Sequence, residues 1–298
     1  MRRAVCLSKT LFAPYCSVKI KSSYSVFLCG SFAQKCGELG LQPAKPRGAI
    51  VERPEPAAQI LGEGGQRLGL DLMLAGEGAD GEQPFLHRLQ FARIAVEIGD
   101  NYPLYGEVID KIRWGQQKDV PNFSLKLAER SQKDGQAINA FCKRLYDHTF
   151  LAKYYYQKPE KIGRGTLQSA PNIRRFFAGE WLEWFALMKL LAFFQEKRRV
   201  VSCTRNLSVI FPNEDLHELD VFFLVDGATP VCIECKTGEF RQEIDKYLRL
   251  KKRLGIDRSQ FILCCSGLSD EQAAGLSGMY ELSFVSPAGL VAHLSKLF

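Results

Sequence analysis

The sequence predicts an α/β protein whose carboxyl-terminal half is a mixed sheet flanked by helices, and three observations carry that prediction. Residues 179–197 are apolar around most of a helical circumference. Three strand-like runs follow at 207–211, 219–225 and 231–236, and helix and strand patterns then alternate to the end of the chain.

Each element has a local reason. Trp181, Leu182, Trp184, Phe185, Leu187, Met188, Leu190 and Leu191 cover most of the first helix, so it should be largely buried. Asp226-Gly227-Ala228-Thr229-Pro230 supplies a turn, and the strands on either side should pair as a hairpin. A basic helix is expected over 240–254, then a buried strand over 260–265, a short helix near Asp270 and a strand over 282–285. A terminal helix should open with Ser286 as N-cap and Pro287 at its first position, where a missing N–H costs nothing.

Upstream, three domains are expected: a low-order, disordered segment and linker over 1–84, a small mostly helical module over 85–168, and the sheet domain over 169–298. Residues 1–36 are basic and serine-rich with no acid, which is the composition of a transit peptide or of a loose tail. Residues 43–84 are rich in Pro, Gly and acids, as linkers are. Within 85–168, apolar spacing predicts helices through Leu89, Ile94 and Ile98, through Leu104, Val108 and Ile112, and through Ile138, Phe141 and Leu145. The last is capped near Ser131, and a strand over 150–156 and a basic loop over 158–164 follow it. That order suits a winged-helix module or a plain connecting bundle.

Bulk properties narrow the function. The chain has 298 residues, 40 Lys+Arg against 33 Asp+Glu and a net charge of +7, a modest bias toward a polyanionic partner. No apolar run reaches the ~18 residues of a bilayer span, so no membrane role and a cytoplasmic location are expected. Ten cysteines in a long chain, several inside apolar runs, read as reduced core residues. Cys232 and Cys235 should face opposite sides of one strand and cannot easily share an ion. The four histidines show no metal-ligand spacing.

The chemistry is expected in carboxylates. Asp220 and Glu234 are equidistant from residue 227, so symmetric pairing of the hairpin sets them opposite one another. Alternation puts Glu234 and Lys236 on one face, and Asp220 with Glu218 and Phe222. Two acids across a ladder repel unless a proton or a cation sits between them. The neighbouring runs Val221–Leu224 and Val231–Ile233 are apolar enough to be central strands, where charges are expensive without a purpose. Glu183 falls on an apolar stripe of the long helix and needs a partner. Glu180 lies at the helix start, where the dipole favours acids.

Gly179-Glu180-Trp181-Leu182-Glu183, Glu218-Leu219-Asp220 and Glu234-Cys235-Lys236-Thr237-Gly238, in this order, resemble the motifs of the PD-(D/E)XK, restriction-endonuclease-like nuclease superfamily over about residues 172–298. Leu219 stands where that family has a proline. The arrangement is most similar to the nuclease domain of CRISPR-ancillary effectors activated by cyclic oligoadenylates, although residues 1–168 lack the alternating strands and helices of their sensing domain. The resemblance implies a Mg²⁺-dependent endonuclease, with Mn²⁺ as a substitute, acting on DNA or RNA in defence or repair. Glu183, Asp220, Glu234 and Lys236 would be catalytic; Asp220, Glu234 and Glu183 would hold the metal. A homodimer is a partner state that such nucleases allow.

Lys246, Arg249, Lys252 and Arg253 are candidate phosphate contacts, with Lys251, Arg258, Arg174, Arg175, Lys197, Arg198 and Arg199 as further basic positions, and such contacts carry no sequence information. The competing expectation is a non-catalytic nucleic-acid-binding or adaptor protein that keeps the nuclease fold as scaffold and binds through the winged-helix-like module.

Overall fold

The computed structural model describes residues 4–6, 19–22, 26–27, 85–210 and 216–298. The expected transit-like tail and linker therefore lie outside the described residues, apart from three short strands, β1 (Ala4–Cys6), β2 (Lys19–Ser22) and β3 (Val26–Phe27).

The predicted helical region begins with α1 (Phe85–Asp100) and α2 (Tyr102–Gln117). Strand β4 (Asn122–Lys126) precedes α3 (Gln132–Asp147), and β5 (Leu151–Gln157) and β6 (Ile162–Leu167) close the region. Helix α3 is capped as expected: Ser131 Oγ accepts from the Asp134 N–H at 3.1 Å. The basic loop expected over 158–164 is instead a tight turn followed by β6, and β4 was not foreseen. Strand β6 is poor in β-forming residues for a packing reason. A Cβ on Gly165 would lie 2.3 Å from the Phe123 ring and one on Gly163 2.7 Å from the Tyr154 hydroxyl, so β6 must carry glycine where its partners' rings cross it. The result is an antiparallel sheet in the order β4-β6-β5, in which β5 and β6 form a hairpin.

A short helix α4 (Pro171–Arg175) and one π-helical turn (Phe176–Glu180) lead into α5 (Trp181–Glu196). Strands β7 (Val201–Ile210), β8 (Leu216–Val225) and β9 (Thr229–Lys236) follow, then α6 (Ile244–Leu254), β10 (Phe261–Cys265), α7 (Asp270–Met279), β11 (Ser283–Val285) and α8 (Leu290–Leu294). The terminal helix starts later than the sequence suggests. Ser286 Oγ does accept from a backbone N–H, that of Gly289 at 2.9 Å, but it closes a turn ahead of the helix. The main sheet runs β1-β2-β7-β8-β9-β10-β11, antiparallel from β7 to β9 and parallel from β9 to β11, with β3 also on β7. This is the predicted mixed sheet with helices on both faces.

Two cores result. On one face, α5 and α8 bury Phe185, Leu190, Phe194, Leu290 and Leu294 against Val221, Phe223, Ile233 and Cys264, and the same core continues without interruption into α1–α3 through Ile98, Ile109 and Phe141. On the other, α6 and α7 bury Tyr247, Leu250, Leu254 and Ala273 against Phe222, Cys232, Leu263 and Phe284. Helix α6 buries one stripe, keeps Lys251, Lys252 and Arg253 in its last turn where the dipole favours cations, and ends on Gly255 in the left-handed region at φ 65°. Cys232 and Cys235 belong to opposite faces, and Cys142, Cys203, Cys232, Cys235, Cys264 and Cys265 are free thiols. Among the described residues no helix is long and apolar enough to cross a membrane.

Helix α1 approaches α5 through Gly99, whose Cβ position lies 2.1 Å from the buried Phe185 ring. Gly99→Ala is expected to destabilise by about 1–2 kcal/mol, because overpacking outweighs the ~1 kcal/mol that alanine gains over glycine in a helix. A shift in urea midpoint at unchanged slope would register it; an equal or higher midpoint would refute the close packing.

Candidate active site

The β8–β9 hairpin has the register that its turn implies. Val225 faces Thr229 and Val221 faces Ile233, with Asp226 and Gly227 in the left-handed region at φ 51° and 67°. Val221–Ile233 is the last regular pair, and the next positions along the two strands are Asp220 and Glu234. There the ladder opens: the Cys235 N–H donates to Asp220 Oδ2 at 2.8 Å.

The opposite side of Asp220 opens too. Strand β7 pairs with β8 at Arg205–Val221 and again at Leu207–Leu219, but the intervening Asn206 and Asp220 are not paired, and Asn206 has φ 54°. The twist resets the alternation. Val221 and Cys203 pack in the α5-side core, whereas Leu219 and Leu207 pack in the α6-side core. The simple alternation that grouped Asp220 with Glu218 and Phe222 therefore fails at Asp220 itself, because a left-handed residue in the neighbouring strand rotates the chain there.

Burial sets the electrostatics. Glu234 is 3% exposed and its Oε1 has no hydrogen-bond partner. Its pKa is pushed well above the usual carboxylate range, first by burial and then by the charge of Asp220. Burial also raises Asp220, against the pull of the Cys235 N–H, Lys236 and Arg205. Burial alone would discharge Lys236, but Asp220, Glu234 and Glu243 outweigh it and the ammonium is held more firmly than usual.

Helix α6 and its N-cap residue Glu243 supply three further groups. Lys236 Nζ lies 3.4 Å from Glu243 Oε2 and 5.3 Å from the centre of the Tyr247 ring. The Tyr247 hydroxyl donates to the same Glu243 oxygen at 2.7 Å, and this bond, with the two lysines, holds Glu243 below the usual range. Lys246 completes the group, 3.8 Å from Glu243 and 5.5 Å from the Tyr247 ring. Glu243 and Tyr247 escape sequence reading as site residues, although their spacing of four on a helix beginning shortly after Lys236 was a usable signal.

Glu183 has found its partner in Arg205. Arg205 donates to Glu183 Oε2 from two nitrogens, at 2.7 and 3.2 Å, and its guanidinium lies 4.3 Å from the centre of a Trp184 ring. Burial, opposed by Arg205 and reinforced by Asp220, raises Glu183 to about 7. Glu180, its rival from the sequence, pairs with Arg175 at 3.1 Å. The chain after Lys236 is fixed from elsewhere: Arg113 of α2 donates to the Thr237 carbonyl at 2.7 Å, and the Thr237 hydroxyl to the Ala178 carbonyl at 3.2 Å.

Of the expected phosphate contacts, Lys246 stands at the site, while Arg249 and Lys252 are exposed on α6 and Arg253 is half-buried. Lys251 is committed to the Glu281 carbonyl at 2.6 Å and Arg258 to the Ser277 carbonyl. Arg174, Arg175 and Arg199 hold Asp119, Glu180 and Asp226.

Among the described residues no group of three or more His, Cys, Asp and Glu side chains is disposed to hold a metal ion. A hard cation nonetheless fits the acidic pair. The unpartnered, buried Glu234 oxygen lies beside a second desolvated carboxylate, and Mg²⁺ needs only one or two carboxylates because it retains waters and takes substrate oxygens.

No family model matches the chain, and no curated protein does. Solved structures do. The protein VC1899 from Vibrio cholerae is similar with a TM-score of 0.50 and 18% identity, over 73% of this chain and 57% of that one. Can2 from Sulfobacillus thermosulfidooxidans, solved in complex with cyclic tetra-adenylate, is similar with a TM-score of 0.50 and 15% identity, over 70% of this chain and 53% of that one. The chain thus spans little more than half the length of either. At these identities the likeness is one of fold, and the mixed α/β fold of this chain is similar to those of VC1899 and Can2.

Proposed function

We propose that the chain is a Mg²⁺-dependent nuclease that hydrolyses phosphodiester bonds at Asp220, Glu234 and Lys236, with Mn²⁺ able to substitute. The observation that carries this reading is the buried Glu234 carboxylate, one of whose oxygens has no partner, next to Asp220 and with a firmly charged lysine two residues on. Asp220 and Glu234 would hold the cation, which when bound offsets phosphate charge and acidifies water. Lys236 donates to a phosphate oxygen or to the attacking water and stabilises charge as it develops on the phosphorane. Glu243 and Tyr247 keep the Lys236 ammonium aimed and charged. Lys246 adds a positive charge for the backbone of the nucleic acid. Glu183 acts through Arg205, and would reach a cation only by leaving it. The fold likeness to a protein solved with cyclic tetra-adenylate supports a role in defence against foreign nucleic acid.

Incubation with plasmid, single-stranded DNA and RNA in Mg²⁺ or Mn²⁺ tests the site. Asp220→Ala and Lys236→Ala are each expected to reduce cleavage by about 10²–10³-fold or more. Cleavage persisting at the parental rate in either variant would sink the assignment. A second reading, a non-catalytic scaffold, is favoured by the commitment of Glu183 to Arg205, which leaves two acids rather than three free for a metal. Binding of nucleic acid without cleavage in either metal would establish it.

A further inference from the structure

We propose that the outward face of the β4-β6-β5 sheet is a platform for single-stranded nucleic acid, with Tyr155 as its stacking residue. This goes beyond the nuclease reading and does not depend on it. Tyr155 is 55% exposed although it lies in the middle of a strand. Its inward neighbours Tyr154 and Tyr156 pack on the core, so alternation turns the Tyr155 ring outward to solvent.

The residues that share this face follow from the register. Tyr155 pairs with Arg164, Lys153 with Thr166, Ser124 with Arg164 and Asn122 with Thr166. Asn122, Ser124, Lys126 and Lys153 are exposed, while Phe123, Leu125, Gly163 and Gly165 turn inward. The three strands carry Lys126, Lys153 and Arg164 and no acid at all. Exposed Lys158 and Lys161 extend the charge along the hairpin turn, where Glu160, 3.7 Å from Arg164, is the acid.

A polar sheet face with an open aromatic ring and cations on its flanks matches the chemistry of unpaired bases, whose faces stack on a ring while their phosphates meet lysine and arginine. Stacked bases in a duplex offer no free face to Tyr155. An acidic peptide would satisfy the cations but not the ring. Charge complementarity and the exposed ring together therefore select a single strand as the occupant.

The test is fluorescence anisotropy with labelled twelve-residue oligouridine and oligothymidine, in EDTA so that nothing is cleaved. The parent is expected to bind, Tyr155→Ala to bind about tenfold more weakly, and Tyr155→Phe to bind like the parent. Lys126→Glu/Lys153→Glu should weaken binding and flatten the salt dependence by about 1.4 in log–log slope, for two phosphate contacts. Because divalent ions are absent, the titration reads the platform whether or not Asp220, Glu234 and Lys236 cleave. Absence of binding by the parent, parental affinity in both Tyr155→Ala and the double variant, or displacement by duplex or polyglutamate as effective as by unlabelled single strand would each overturn the proposal.

Discussion

Glu234→Gln is expected to reduce the proposed Mg²⁺-dependent cleavage by about 10²–10³-fold or more and, in the absence of divalent ions at alkaline pH, to make the protein more stable than the parent. Both effects come from one carboxyl group. Glu234 is buried, one of its oxygens has no partner, and the charge of Asp220 acts on it with the same sign. The amide keeps the shape and removes the charge that the folded protein must otherwise suppress with a proton or a cation.

The pH dependence has a definite sign. The Glu234 pKa in the folded protein lies above its ordinary value of 4.5, so across the interval between them the folded state holds more protons than the unfolded one. Stability is therefore lost as pH rises through that interval, and the glutamine variant should lack this part of the slope. Added Mg²⁺ should restore stability to the parent by about 1.4 kcal/mol at ten times its dissociation constant, and do nothing comparable for the variant. Thermal or urea melts at pH 5 and pH 8, with and without Mg²⁺, provide the measurement. A variant that is less stable than the parent at pH 8 without metal would show that Glu234 makes a structural bond rather than holding a ligand.

How much of this site was legible in the sequence depends on which interactions are local. The hairpin register was legible because Asp226-Gly227 fixes the turn and the turn fixes every pair after it, including the approach of Asp220 to Glu234. The burial of α5 was legible because its apolar residues cover most of the helix. The left-handed Asn206 was not, since asparagine tolerates that conformation without requiring it, and it is this residue that turns Asp220 out of its expected alternation. Strand β6 was hidden for a different reason: its glycines serve rings on the neighbouring strands, a tertiary demand that contradicts local propensity. The partners of Lys236 and Glu183 come from separate elements, and only packing brings them together.

Arg205→Met is expected to cost about 3–5 kcal/mol at alkaline pH and distinctly less near pH 5, because it leaves Glu183 buried without its counter-ion. The side chains of Arg205 and Glu183 are 10% and 15% exposed, so water cannot replace the lost bonds. The pair is fully formed only when Glu183 is ionised, above its raised pKa of about 7. Below that, Arg205 already faces a neutral acid, and its removal forfeits less. Without Arg205 the Glu183 pKa should climb further, so the penalty grows as pH rises through 7 and beyond. The double variant Glu183→Gln/Arg205→Met should recover most of the loss, since removing both members of a buried pair leaves no orphaned charge. Part will remain, as the guanidinium also stacks on Trp184. Urea denaturation of the parent, the two single variants and the double variant at pH 5 and pH 9 closes the cycle. A coupling energy near zero at both pH values would mean that Glu183 does not depend on Arg205 and is free to serve the acidic pair directly.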